Sequence, residues 1–153
     1  MATTPTPIFG QTPKSDVSSI WLNGSTALTK NDGSATAIGT DIMKAYTAGS
    51  NGAYIDRIRL HPVATTAATA TTATVARIYL STATSGATTN TNTHLWQEVA
   101  CPAQTAAQTT TATTPIDIPM GIRIAASTTI LWSMHHVAAA NTMWECTVIA
   151  TDF

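Results

Sequence analysis

At 153 residues, with a formal net charge of -1 and only 10% charged residues, the chain is sized for one domain and carries no field that would draw in nucleic acid or an anionic membrane. Its basic residues Lys14, Lys30, Lys44, Arg57, Arg59, Arg77 and Arg123 are scattered, the first ten residues lack the basic-then-apolar order of an export signal, and no segment approaches the roughly 18 apolar residues of a membrane helix. Thr and Ala supply more than a third of the chain, which favours pleated strands and a surface polar through hydroxyls that can meet another surface without desolvating ions; genomic bias or flexible loops would give the same composition.

Residues 1–16, MATTPTPIFGQTPKSD, hold three prolines and predict an extended arm. Proline keeps such a segment out of helices and central strands, while Ile8 and Phe9 offer an apolar anchor for a neighbour's groove or sheet edge; a disordered terminus is the alternative. Residues 17–153 read as one domain of about eight short strands. Ser18–Leu22 ends at Asn23-Gly24, Asp32-Gly33 precedes an apolar-rich stretch over 37–47, and Asn51-Gly52 follows. Such dipeptides tolerate positive φ and predict reversals of an antiparallel sheet.

Over 53–63, Ile58 and Leu60 alternate with Arg57, Arg59 and His61, so one face is dry and the other wet. Over 74–81, Ala76, Ile78 and Leu80 oppose Val75, Arg77 and Tyr79, predicting a second half-buried strand. Leu95–Cys101 alternates weakly, Ile116–Ile124 is interrupted at Pro119-Met120-Gly121, and 130–137 and 143–150 complete the set. The connections at 64–73, 82–93 and 103–114 are long enough to pass between sheets. Threonines interleaved through 64–76 argue against an alanine-driven helix there. The pattern predicts an all-β antiparallel sandwich, jelly-roll or related Greek key, with an up-and-down barrel as the alternative.

Residues able to carry chemistry do not converge. The sequence has no G-x-S-x-G elbow, phosphate loop, H-E-x-x-H or Cys-x-x-Cys, and Asp41, Asp56, Glu98 and Asp117 lack the spacing of a glycosidase pair, so no catalytic residue, cofactor or metal ion is expected. His135-His136 stands out, but neighbours in a strand point to opposite faces and would not share a metal; His61, His94 or a symmetry copy could join only one of them. Cys101 and Cys146 are expected to be free thiols. Trp21, Trp96, Trp132 and Trp144 fall in predicted strands, where most should pack inward; Trp132, His135 and Trp144, beside Met134 and Met143, are the candidates for an inter-subunit contact.

Taken in order, Ile42 to Ala48 leading through Gly49-Ser50-Asn51-Gly52-Ala53 into Ile55-Asp56-Arg57-Ile58, then Ala76-Arg77-Ile78-Tyr79-Leu80, then Leu95-Trp96-Gln97-Glu98-Val99, resembles a group of small virion structural proteins of tailed bacteriophages. Pro119-Met120-Gly121-Ile122-Arg123-Ile124-Ala125-Ala126-Ser127 is similar to their P-x-G-x-x-L-x-A-S segment, and Thr151-Asp152-Phe153 stands where they finish in Gly-Asp-Tyr or Gly-Asp-Phe, with Thr151 in place of the glycine. The resemblance covers about residues 36 to 153 and leaves the arm uncovered. It implies a head decoration or cement protein without catalytic residues: a homo-oligomer, expected to be a trimer, on the capsid surface, assembled in the host cytoplasm and bridging neighbouring subunits of the major capsid protein, with the arm on an adjacent chain. A tail, baseplate or fibre adaptor is one alternative, and a carbohydrate-binding jelly-roll module that stacks sugars on exposed tryptophan is another. Neither nucleic acid nor a membrane is an expected partner.

Overall fold

In the computed structural model, which describes residues 12–22, 27–64, 69–106, 112–136 and 141–153, every regular element is a strand. The elements are β1 (Thr12–Leu22), β2 (Met43–Thr47), β3 (Ala53–Ala64), β4 (Thr69–Ala70), β5 (Thr74–Ser81), β6 (Thr93–Cys101), β7 (Thr105–Ala106), β8 (Ile116–Ile124), β9 (Thr129–Met134) and β10 (Thr142–Asp152). Eight of these are long, and they form two antiparallel four-stranded sheets ordered β1-β10-β3-β8 and β2-β9-β5-β6. Their pairing nests: β1 pairs with β10, β2 with β9, β3 with β8 and β5 with β6. The contacts β10–β3 and β5–β9 then stitch these pairs into the two sheets.

The expected arm boundary moves. Residues 12–16 are strand, with Thr12 opposite Asp152 and Asp16 opposite Val148, so they belong to the chain's own sheet edge. Residues 1–11, with Ile8 and Phe9, lie outside the described residues.

One core is shared by the inner faces of both sheets. Ile55, Ile58 and Leu60 of β3, Ile118 of β8 and Trp144, Cys146 and Val148 of β10 meet Ala76 and Ile78 of β5, Tyr46 of β2 and Ile130, Trp132 and Met134 of β9. Each large apolar side chain removed from water here contributes roughly 1.5–3 kcal/mol before the entropy of ordering it is counted. In β10 the alternation is strict, with Thr142, Trp144, Cys146, Val148 and Ala150 all buried.

β3 needs a correction to its phase, because Ile55 and Ile58 are three apart and a regular strand would turn one of them outward. A bulge supplies it: Ile55 and Arg57 sit opposite Ala150 and Ile149, leaving Asp56 as the extra residue. β8 bulges against the same place, with Ile122 and Pro119 opposite Ile55 and Arg57. The strand therefore runs unbroken through Pro119-Met120-Gly121, where an interruption was expected. Pro119 is tolerated because β8 ends its sheet, and Gly121 takes a φ of 60° at the bulge.

The second sheet is covered on both sides along β5 and β9. Its outer face carries Tyr79 and Leu131, which pack with Leu28 and Ile42 from the segment that precedes β2, and partly buried Ala35 and Ile38 complete that smaller cluster. Thus 37–42 is a covering loop and not strand, with Gly39 at a φ of 98° in a turn closed by its N–H donating to the Ile42 carbonyl at 2.7 Å. β5 is correspondingly not half-buried: Arg77 and Tyr79 lie under the cover.

Of the three long connections, the one after β3 and the one after β6 pass between sheets, and the ladder β4–β7 ties them together. The connection over 82–92 instead joins neighbouring strands of one sheet, held by the Thr82 N–H donating to the Asn92 carbonyl at 2.9 Å.

Candidate functional site

Trp132 and Trp144 fill the shared core with no more than 1% of their surface exposed, so neither is available to a neighbour; as interface candidates they are corrected to packing residues. From residue 27 onward, the large apolar side chains that do reach solvent among the described residues are Tyr54, Leu95 and Trp96. Leu95 is 37% and Trp96 46% exposed, adjacent on β6, the terminal strand of its sheet. Leu95 lies opposite Tyr79 and Gln97 opposite Ile78, which leaves Trp96 as the extra residue of a bulge. A bulge on an edge re-aims a side chain and weakens the alternation. The clue in the sequence is Leu95-Trp96 itself, two large apolar neighbours that a regular strand could not bury together.

His135 follows the last residue of β9. Because the strand stops at Met134, the two imidazoles are not held on opposite faces: their centroids are 4.6 Å apart in an edge-to-face arrangement. His135 Nδ1 lies 3.4 Å from Nη2 of Arg77, which sets the ring against a cation and favours its acceptor tautomer there. Among the described residues no group of three or more His, Cys, Asp or Glu is placed to hold a metal ion.

Arg77 is the hub of this region. Its Nη1 donates to the carbonyl oxygens of Leu28 at 2.8 Å and Lys30 at 3.3 Å, and its Nε donates to Glu98 Oε1 at 2.7 Å. The guanidinium thereby pins the covering segment to the sheet and satisfies carbonyls that no strand partners. Tyr79 beside it donates to the Lys30 carbonyl and accepts from Ser133, and burial pushes its hydroxyl pKa up.

The other acids are held structurally as well. Asp117 takes a two-pronged contact from Arg59 at 2.7 and 2.8 Å, which keeps its carboxyl below the ordinary value. Asp56 lies 3.6 Å from Arg57. Burial acts to raise the Asp41 carboxyl, but the backbone N–H groups of Ala37 and Thr36, at 3.0 and 2.8 Å, outweigh it and hold the pKa down. Asp41 borders an open depression of about 390 Å³ between the 27–30 and 34–36 stretches of the cover, with Thr88 on its wall. Its carboxylate is spent on the turn that shapes the cover.

Cys101 and Cys146 are buried free thiols, pushed by burial up to about 11 and about 12 respectively, far from the thiolate a nucleophile needs.

Three of the segments that carried the resemblance, over 42–53, 119–127 and 151–153, come together at one end of the molecule. Gly52, at a φ of 88°, sits so close to strand β8 that a Cβ there would lie 2.5 Å from the Ile124 carbonyl oxygen. The Ala48 N–H donates to the Thr128 carbonyl at 2.9 Å, and the Phe153 N–H to that of Gly52 at 3.2 Å. The Asp152 carboxylate accepts from the Tyr46 hydroxyl and the Gly49 N–H, and the Arg123 guanidinium lies 5.3 Å from the centre of the Phe153 ring. Thr151 is a strand residue without a positive φ, so a β-branched side chain suits it where a glycine would have been spent on a turn. These motifs build a corner of the fold, not a reactive cleft.

Comparison with protein-family models, with curated proteins and with solved structures gives no match.

Proposed function

We propose that the chain is a structural, non-enzymatic protein of a tailed-phage particle, a decoration or cement protein that associates with copies of itself, as a trimer, and bridges subunits of the major capsid protein on the capsid surface. The fold we read as a jelly roll: eight long strands paired first with last, second with seventh, third with sixth and fourth with fifth are one long hairpin rolled into two sheets. Jelly rolls serve in viral capsids and in lectins, so the fold narrows the field without choosing within it.

The observation that carries the reading is where the exposed apolar surface lies. In a domain with 10% charged residues, Leu95 and Trp96 sit side by side on an open sheet edge and not around a cleft. Adjacent apolar side chains on an edge suit contact with another protein, and repetition around a symmetry axis multiplies each weak contact.

Quantitative mass spectrometry of purified particles tests it. On the order of hundreds of copies per particle is expected for a capsid component, a small multiple of the tail's ring symmetry would move the protein to the tail or baseplate, and absence from particles would sink the virion role. Removing residues 1–11, which stops short of β1, should weaken capsid binding while the domain stays folded.

Trp96 favours a second reading, a carbohydrate-binding module in which the exposed indole stacks on a sugar ring. Binding on a glycan array that Trp96→Ala abolishes would support it, and a blank array would remove it.

A further inference from the structure

Four strands end the two sheets, and their edges are not alike. β1 carries Pro13 and runs beside β2, while β8 carries Pro119 together with Asp117 and Arg123. Proline and charge are devices that stop a further strand from adding. β6, THLWQEVAC, has no proline, its single acid Glu98 is engaged by Arg77 of the neighbouring β5, and it meets no strand along its outer edge among the described residues while showing Leu95 and Trp96 to solvent.

The chain also holds a segment fitted to such an edge. Residues 1–11, MATTPTPIFGQ, have no charged side chain, and Pro5 and Pro7 are two apart. In an extended chain both missing N–H groups then fall on one edge, while the N–H and C=O groups of Thr4, Thr6 and Ile8 all point to the other. A strand of this kind can pair on one side only, so it ends a sheet instead of propagating it. Pro5, Pro7 and Phe9 share one of its faces, which makes that face apolar.

Reach decides whose edge it meets. Phe9 lies three Cα steps before Thr12, at most about 11 Å of chain. Within the molecule β6 is three ladder spacings beyond β2, about 14 Å, so the segment cannot lie along β6 of its own copy. We propose that β6 accepts residues 4–9 of a second copy as a fifth strand of its sheet, with Ile8 and Phe9 covering Leu95 and Trp96. Each copy gives one strand and receives one, a head-to-tail contact that closes into a ring. This deepens the self-association part of the reading above and is independent of any particle.

The test uses the full chain and two single variants. Thr6→Pro removes a donor on the proposed pairing edge of the segment that precedes β1, and Trp96→Glu puts a charge on the receiving edge at an exposed position. Sedimentation velocity over a concentration series should show self-association weakened by about tenfold or more in each, with unchanged circular dichroism. An equimolar mixture should recover a dimer, because the intact arm of the Trp96→Glu chain still fits the intact β6 of the Thr6→Pro chain. Variants that associate like the parent chain, or two monomeric variants that fail to complement, would overturn the proposal. A photo-crosslinker at position 9, in mixed heavy and light copies, should link residue 9 of one to 93–101 of the other; links confined to one copy or to another strand would overturn it as well. Intact self-association without capsid binding would count against the particle role alone.

Discussion

Arg59 on β3 and Arg77 on β5 both point away from the shared core, and each places Nε 2.7 Å from a carboxylate oxygen, of Asp117 and Glu98 respectively. The first pair lies on an open sheet face, 44% exposed on both sides. The second lies beneath the 27–42 segment, with the Arg77 side chain only 9% exposed and its Nη1 donating to backbone carbonyls of that segment. Equal distances thus describe unequal interactions. A solvated pair exchanges water contacts for protein contacts at little gain, whereas a buried guanidinium that satisfies otherwise orphaned carbonyls cannot be withdrawn without leaving them unpaired.

That contrast can be broken by substitution. The largest effect is expected where the two sheets have no difference, in the common core: Ile58→Ala should lower stability by about 2–5 kcal/mol in urea unfolding, with one cooperative transition. Arg77→Leu should cost about 2–3 kcal/mol and raise hydrogen exchange selectively over 27–42, since the cover loses its pin before the core loosens. If 27–42 exchanges no faster than in the parent chain, Arg77 does not hold the cover.

Asp41 sharpens the same point through pH. Its folded pKa is depressed below the ordinary carboxylate value near 3.8, so its contribution is present above that value and is lost as the pH falls through the lower, folded one. Asp41→Asn should therefore flatten the loss of stability seen on acidification below about pH 4, at the price of a somewhat weaker cover at neutral pH. A variant whose acid titration by urea midpoint matches the parent curve would show that this carboxylate is not a determinant. The smallest effect belongs to Arg59→Leu, whose unfolding midpoint should stay close to that of the parent chain; a loss equal to that of Arg77→Leu would end the distinction drawn between the two faces.

Much of the first sheet was legible because alternation reports it directly: Ile58 and Leu60 against Arg57, Arg59 and His61 fixed both the strand and its wet side. About eight strands in an antiparallel sandwich were legible in this way, whereas the division into two sheets of four comes from the pairing. The cover was not legible. Alternation of Ala76 and Ile78 with Arg77 and Tyr79 tells which residues share a face but not whether that face meets water, and what decides it is Leu28 and Ile42, more than 30 residues away. Size and neighbouring methionines make Trp132 and Trp144 candidates for core or contact alike, and the choice between these rests on burial, while the exposure of Trp96 depends on a bulge that only the pairing with β5 reveals. His135 was read as strand, and the end of β9 one residue earlier changes its geometry entirely.

One further consequence comes from the position of β10, which lies between β1 and β3 although it follows both by many residues in the chain. A chain emerging from the ribosome can close β5 on β6 early, but β1 has no partner and β3 only one until residues 142–152 are released. Contacts of such long sequence separation fold slowly, and a chain halted before residue 142 would carry an unpaired β1 and one bare edge of β3, so that stretch of synthesis is the one most exposed to aggregation.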